Sequence, residues 1–468
     1  MRAPRWDRRR VVLLLLLSAL VVLLAFTFRT AVEGDGVGYN AYLHSIWVDH
    51  DLNFRDEYAA ARRAGVPTDH RLIDVPTKTG LVANFFPVGT AVLATPFYLV
   101  ALIFRPSGAP QYGLPFTAAI TLPSLLAGLL ALALCWRLTR SAVAVAALAL
   151  CTPYLFYLLY EPSYSHMFSA LLVSIFVTVW YRTRERRSIG VWLALGLLGG
   201  LMALVRFQDG LLLLITLLDV RRARWRLLLV LPGAFLVFSP QLVIDHAVFG
   251  SWLPQRPRGQ ALTLPVHALQ VLFSSWNGLF VWHPLTVIAV AGMLMVRDRS
   301  LRVACLFGFL LETGIDGAAP DWWGGLAFGA RRFLDLSPFF AIGFATFARR
   351  LDRRWAWGAI TVFTVWNLML AANLTYVIRY EHNPGYLGLI QGQFEGLRWL
   401  PNLFAKGVAA RDLVLWPLLG GRPAVGTGLV MIVLEALAVA VAAWVAFRPA
   451  SRMLTTAAPA AVGEIEPA

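Results

Sequence analysis

Glu33-Gly34-Asp35-Gly36-Val37-Gly38-Tyr39 opens a polar stretch, Arg29 to Asn84, that directly follows an apolar run. The stretch carries Asp35, Asp49, Asp51, Asp56, Glu57, Asp69 and Asp74, with His44, His50 and His70. An acid-rich segment of this length cannot lie in hydrocarbon, so it reads as a loop outside the membrane, with Asp35 just above the bilayer surface. Tyr39, Tyr42, Leu43, Ile46 and Trp47 recur at helical spacing, which predicts an amphipathic helix lying on that surface after Asp35.

Composition supports a membrane setting for the rest. The 468 residues are 58% hydrophobic and 14% charged, with mean hydropathy +0.65; a soluble domain is about half apolar and about a quarter charged. Several apolar runs reach the ~20 residues that span a bilayer, and the alternation of a β-barrel is absent. The net charge of +15 comes from arginines clustered in short loops: Arg8 to Arg10, Arg182 to Arg187, Arg221 to Arg226, Arg297 to Arg302, Arg349 to Arg354 and Arg448 to Arg452. That distribution marks cytoplasmic loops and offers no nucleic-acid-binding module. Cys135, Cys151 and Cys305 all fall in apolar runs, which excludes a disulfide framework in the external loops and a zinc site by spacing.

The expected fold is an all-α polytopic membrane protein with about 12 transmembrane helices (11 to 13). The spans are Val11 to Phe28, Gly113 to Trp136, Ser141 to Tyr160, His166 to Tyr181, Ile189 to Val205 and Gly210 to Val220. They continue with Leu227 to Ile244, Pro284 to Val296, Leu301 to Gly314, Phe333 to Phe347, Trp357 to Tyr376 and Val425 to Phe447. The first is read as an uncleaved helix, since no small-residue cleavage site follows it. Residues 85–104 are apolar, but counting them as a span moves most arginine clusters outside. They are therefore expected to be juxtamembrane or re-entrant. A single transmembrane domain, 1–447, thus carries a first extracytoplasmic loop at 29–84 and a late one at 315–332, and ends in a disordered cytoplasmic tail, 448–468.

Five places hold residues suited to chemistry. Asp35 either caps the helix that follows or serves as an interfacial carboxylate able to take a hydroxyl proton or hold a metal. In Tyr160-Glu161-Pro162-Ser163-Tyr164-Ser165-His166, Glu161 and His166 mark either a helix stop and start or an acid and imidazole facing Asp35. Arg206-Phe207-Gln208-Asp209 puts a cation on an outer turn, where Arg206 either pairs with Asp209 or binds phosphate. In Asp316 to Arg332, Trp322 and Trp323 form an interfacial belt or a sugar-stacking surface, and Arg331 and Arg332 are phosphate-binding candidates. Ser274 to Pro284 is a lipid entrance or an interfacial turn. Glu435 is the acid expected mid-membrane.

The layout from Val11 to about Phe347 resembles the GT-C superfamily of polyprenyl-phosphate-sugar-dependent glycosyltransferases, which includes protein O-mannosyltransferases and aminoarabinose transferases. The resemblance rests on the first helix, the long first outer loop with its early acid, and the acidic loop after the third helix. It also rests on the phrases Asp321-Trp322-Trp323-Gly324-Gly325, Phe328-Gly329-Ala330-Arg331-Arg332-Phe333, Asn277-Gly278-Leu279-Phe280 and Ser165-His166. It implies that Asp35 is catalytic, as base or metal ligand, that Glu161 or His166 supplies a second polar group, and that Arg331 or Arg332 binds the lipid phosphate. The chain has Asp35-Gly36 where an Asp-Glu pair is usual and lacks the Asp-x-Asp of the second loop. Metal dependence, on a divalent ion or none, stays open.

The expected function is therefore an inverting hexosyl- or pentosyltransferase, multi-pass in a bacterial inner membrane, with its active site outside. Its partners are a polyprenyl-phosphate-linked sugar, membrane lipid and a glycan, lipid or protein acceptor, with no nucleic acid. Catalytic roles fall to Asp35, Glu161 and His166, and substrate contacts to Arg206, Asp209, Trp322, Trp323, Arg331 and Arg332. The alternatives are a transporter or flippase of a lipid-linked or amphiphilic solute, or a non-catalytic lipid-binding subunit.

Overall fold

The computed structural model describes residues 8–67, 73–105, 107–325, 327–376, 383–405 and 425–448. Asp69, His70, His382 and the tail from 449 lie outside the described residues. Among the described residues the only β pairing is an isolated bridge between Pro76 and Val82; the rest is helix and connection.

The first run is α1 (Arg8–Thr27). The polar stretch follows with α2 (Asp35–His44) and α3 (Arg55–Arg63), then α4 (Gly89–Phe104). Next come α5 (Leu114–Thr139), α6 (Ala142–Cys151), α7 (Tyr154–Leu159), α8 (His166–Thr183), α9 (Ile189–Val205), the short α10 (Val220–Ala223) and α11 (Val230–Phe249). The C-terminal half holds α12 (Ala268–Phe273), α13 (Leu279–Trp282), α14 (Thr286–Leu294), α15 (Arg299–Ala318), α16 (Ser337–Ala348), α17 (Arg353–Tyr376), α18 (Gly385–Ala405) and α19 (Val425–Phe447).

Among the described residues, four segments are long and apolar enough to cross a membrane: Leu114–Thr139, Trp225–Phe249, Arg353–Leu374 and Leu429–Phe447. Their burial differs in a way that places them. In α5, 78% of the apolar window is buried inside the protein, against 22% for Trp225–Phe249 and 33% for the other two. The chain is thus a membrane protein with α5 as its central post, packed on α4, α8, α16 and α19. The outer helices turn Leu236, Val362, Val433 and Leu437 outward, as a lipid-facing surface requires.

Tight helix contacts come from missing side chains. A Cβ on Gly196 of α9 would stand 2.3 Å from the Val230 carbonyl oxygen, and one on Gly200 2.3 Å from that of Ala234. Glycines four apart let the backbones of α9 and α11 touch, which is how apolar helices associate where no hydrophobic drive separates them from lipid.

Two expected spans are reorganised. The run expected as Ser141 to Tyr160 breaks at Thr152-Pro153, because Pro153 has no N–H to give the preceding turn. The carbonyls this frees are bonded by Asn367 of α17, whose Nδ2 reaches the Leu150 oxygen at 3.0 Å and the Thr152 oxygen at 2.8 Å. The run expected as Gly210 to Val220 is a 3₁₀ helix, Phe207–Asp219. At about 2 Å per residue its 13 residues rise about as far as the 17 residues of α9 at about 1.5 Å each. A run too short to span as an α-helix therefore matches its antiparallel neighbour.

The surface-lying helix expected after Asp35 is a correction. Every residue of α2 from Gly36 to Leu43 is buried, Asn40 included. The first loop builds its own core, in which Val37, Tyr42, Phe54 and Tyr58 close with Tyr98 of α4 and Phe116 of α5. Asn84 ties the end of the loop to its start, Nδ2 donating to the Gly38 oxygen at 2.8 Å. The helix that is apolar on one face and charged on the other is α3, which turns in Tyr58 and Ala61 and leaves Arg62 and Arg63 outside.

Candidate active site

The site forms where the first loop, the loop between α7 and α8, and the segment after α15 meet. Gly34 precedes α2 at φ 53°, ψ −125°, and a Cβ there would stand 1.9 Å from the Tyr164 hydroxyl. Only glycine lets the chain turn in that region and pass so close to the ring. Asp35 then begins α2, in whose first turn it is the acidic residue. Its carboxylate reaches across the site to Arg331, Oδ2 to Nη1 at 3.0 Å. Arg331 lies over the Tyr164 ring, 4.9 Å from its centroid, so the same ring packs under Arg331 and against Gly34, the residue before Asp35.

Glu161 is the third charge-bearing group. It is partly buried and its Oε2 has no hydrogen-bond partner among the described residues. Burial pushes its carboxyl up to about 8, against the opposing pull of Arg331. The loop that carries it is fastened to the first loop: Arg29 N–H donates to the Leu159 oxygen at 2.9 Å and the guanidinium of Arg29 covers the Tyr160 ring at 4.3 Å. Asp35 and Arg331 also enter the electrostatic surroundings of Glu161. Asp35, Glu161 and Arg331 thus share one small volume, with Asp35 and Arg331 22% and 13% exposed.

A second group lies deeper, around Asp335. Arg206 Nε pairs with Asp335 Oδ2 at 2.6 Å, and His166 Nδ1 stands 3.6 Å from Oδ1 of the same carboxylate. Arg206 Nη1 also approaches His166 Nδ1 and Ser165 Oγ, both at 3.4 Å. Asp209 accepts from Ser169 Oγ, so the partner of Arg206 is Asp335 and not the Asp209 beside it in the chain. All four of Asp209, His166, Glu312 and Asp335 are buried.

The third group is the late loop. Arg332 spends its terminal nitrogens on Asp316 at 3.4 Å and Asp321 at 2.9 Å. Trp323 stacks on Trp276 with centroids 4.4 Å apart, and Trp322 on His267 at 5.8 Å. Asn277, at φ 58°, donates Nδ2 to the Trp323 oxygen at 2.8 Å, so Ser274 to Pro284 holds the tryptophan loop in place. Arg331 and Arg332, adjacent in sequence, serve different carboxylates.

Helices and loops so arranged are found in a solved structure. The fold is similar to that of ArnT. The crystal structure of ArnT from Cupriavidus metallidurans in the apo state superposes with a TM-score of 0.53 at 14% identity, over 93% of this chain and 76% of the ArnT chain. No family model matches the chain, and no curated protein sequence matches it.

Sequence reasoning missed Asp335, Glu312 and Tyr164. Asp335 and Glu312 fall inside the apolar runs expected as spans, and with Glu312 buried in α15, Glu435 is not the lone acid among apolar helices. The signals were present: Asp335 follows Arg331 by four residues, and Glu312 precedes Asp316 by four, one helical turn. Among the described residues, no three His, Cys, Asp or Glu side chains converge as a metal site.

Proposed function

We propose that this chain is an inverting glycosyltransferase of the GT-C type. It would move a sugar from a polyprenyl-phosphate donor to a cell-envelope acceptor on the outer side of a bacterial inner membrane. The observation that carries the reading is the Asp35–Arg331 pair, 3.0 Å apart and partly accessible, beside a protonatable Glu161. Such a site brings a base and a phosphate-binding cation within one substrate's reach. The ArnT fold supports it, ArnT being a GT-C aminoarabinose transferase.

In this reading the donor phosphate takes over Arg331 and frees the Asp35 carboxylate. Asp35 accepts the proton of the acceptor hydroxyl as that oxygen attacks the anomeric carbon from the face opposite the phosphate. The bond between anomeric carbon and phosphate oxygen breaks, and its electron pair leaves with the polyprenyl phosphate, whose charge Arg331 offsets. Glu161 keeps its proton at neutral pH and so adds no second negative charge against the leaving phosphate. Trp322 and Trp323 flank the donor sugar. Arg206 and His166, both held by Asp335, act from below as a support, with Asp209 bonded to Ser169 beside them. The reading takes the chain as a twelve-span bundle with 85–104 along the outer face, an arrangement that would open this site to a lipid from the outer leaflet.

The test is turnover by the purified protein with a panel of polyprenyl-phosphate sugars and an envelope extract as acceptor. Wild type should release polyprenyl phosphate. Asp35→Asn should lose transfer by about 100-fold or more, the range general-base removal spans, with its melting temperature unchanged. Undiminished transfer by Asp35→Asn would remove Asp35 from the role. Absence of turnover with every donor would point instead to a lipid-handling protein without chemistry.

A further inference from the structure

The same three elements that hold the deep part of the site carry a second feature at their other ends. His166 begins α8, Arg206 follows α9, and Asp209 starts the 3₁₀ helix. At the far ends of α8, α9 and that 3₁₀ helix lies a cavity of about 410 Å³, within the usual size of a small-molecule site. Its wall holds Arg184, Arg186, Arg187, Arg222 and Arg226, with Trp192 behind them. Eighteen residues of α8 separate the two places by about 27 Å, close to the thickness of a bilayer core.

The cavity is built, and its charges do not cancel. Arg187 is buried, with Nη1 2.6 Å from Asp219 Oδ2, Nη2 donating to the Trp180 oxygen at 2.5 Å and its guanidinium 4.7 Å over Trp192. Trp180 Nε1 donates to the same Asp219 oxygen at 2.8 Å. This bonded floor fixes the cavity's shape. At the rim, Arg184 is held by Asp298 at 2.5 Å and Arg222 by Glu185 at 3.2 Å. Arg186 and Arg226 are exposed, and among the described residues neither has a carboxylate partner. Five arginines stand against two lining carboxylates, Glu185 and Asp219, both already paired.

We infer that this cavity is a binding site for a phosphate group, gripped by Arg186 and Arg226 over the Arg187 floor. Planar guanidinium forks suit phosphate oxygens, and basic pockets between helices at the cytoplasmic side are where anionic head groups settle. Two sources share this chemistry: the head group of an anionic phospholipid and a soluble phosphate compound.

The test uses the full chain in phosphatidylcholine nanodiscs, with the unfolding midpoint followed by tryptophan fluorescence. Phosphatidylglycerol is mixed into the disc in one arm, and inorganic phosphate is added to the buffer in the other. A raised midpoint in either arm, weakened roughly 10-fold or more in apparent affinity by Arg186→Gln with Arg226→Gln, supports the site. A response to phosphatidylglycerol alone assigns a lipid head group, and a response to free phosphate a soluble ligand. Arg55→Gln, an exposed arginine of α3, should respond as wild type does. Without anion the double variant should melt as wild type does, since neither side chain has a carboxylate partner to lose; should it not, each single variant serves in its place. No shift in either arm, or an undiminished shift in the variants, overturns the inference.

Discussion

Glu161 is the residue where burial and function separate most cleanly. Its carboxyl is pushed from 4.5 up to about 8 by burial, more than Arg331 pulls it down. The folded protein therefore holds a proton that the unfolded chain releases at about pH 4.5, so folding loses stability as pH rises from about 4.5 to about 8 and levels off above. The slope is at most about 1.4 kcal/mol per pH unit. Glu161→Gln, neutral in both states, should melt like wild type near pH 4 and higher than wild type near pH 8. Parallel melting curves across that range would show that Glu161 is ionised in the fold. Gly34 makes the second expectation at this scale. In Gly34→Ala the new Cβ meets the Tyr164 hydroxyl and the backbone is held at φ 53°, so the Tyr164 ring must move from under Arg331. Overpacking and strain of this kind together cost roughly 1–3 kcal/mol, and transfer should fall further than stability does.

The 3₁₀ segment Arg331–Leu336 explains why two neighbouring arginines differ. With three residues per turn, successive side chains point about a third of a circle apart, and Arg331 goes to Asp35 while Arg332 goes to Asp316 and Asp321. Arg331→Gln breaks a partly accessible pair and should abolish transfer with little change in melting temperature. Arg332→Gln leaves Asp316, 4% exposed, without its cation. Removing one partner of a buried pair costs roughly 3–5 kcal/mol, so this variant should melt lower, and Asp316→Asn in the same chain should restore part of the loss. Equal behaviour of the two single variants would refute the division of labour. At this scale the sequence was legible only where residue type clashed with surroundings. Asp35 and Arg331 stood out as charges beside apolar runs. Asp335 and Glu312 are as charged but sit within such runs, where hydropathy averages them away. The helix α2 was misjudged for the converse reason: a spacing of apolar residues says which face is apolar, not that the polar face is wet, and Asn40 is fully buried. The helix α18 went unread because Gly385, Gly388 and Gln391 interrupt its apolar pattern.

For the whole molecule, hydropathy and arginine placement were enough to expect an all-helical membrane protein whose polar chemistry gathers at one end. The 14% identity to ArnT fits that view, since a bundle needs small residues at contacts and apolar ones outside, which many sequences satisfy. The direction of the bundle is a separate matter, resting on the arginine bias alone, and it decides whether the Asp35 site or the Arg186 cavity faces the cell interior. Cysteine labelling can decide it, because Cys135, Cys151 and Cys305 are all buried and free and give little background. Lys78→Cys lies in the first loop and Arg350→Cys after α16, both at exposed positions. Lys78 belongs to the first loop, whose Ile73 and Val82 share a core with Val37 of α2, the helix that Asp35 begins, whereas Arg350 follows the end of α16 remote from Asp335. In intact cells a membrane-impermeant maleimide should label Lys78→Cys at once and Arg350→Cys only after permeabilisation. The opposite pattern would put the Asp35–Arg331 pair inside the cell, away from any outer-leaflet donor, and would require the proposed reaction to be abandoned. Labelling of both from outside would put Arg331, one helix before Arg350, on the face opposite Asp35, and so would refute the packing that brings the two to 3.0 Å.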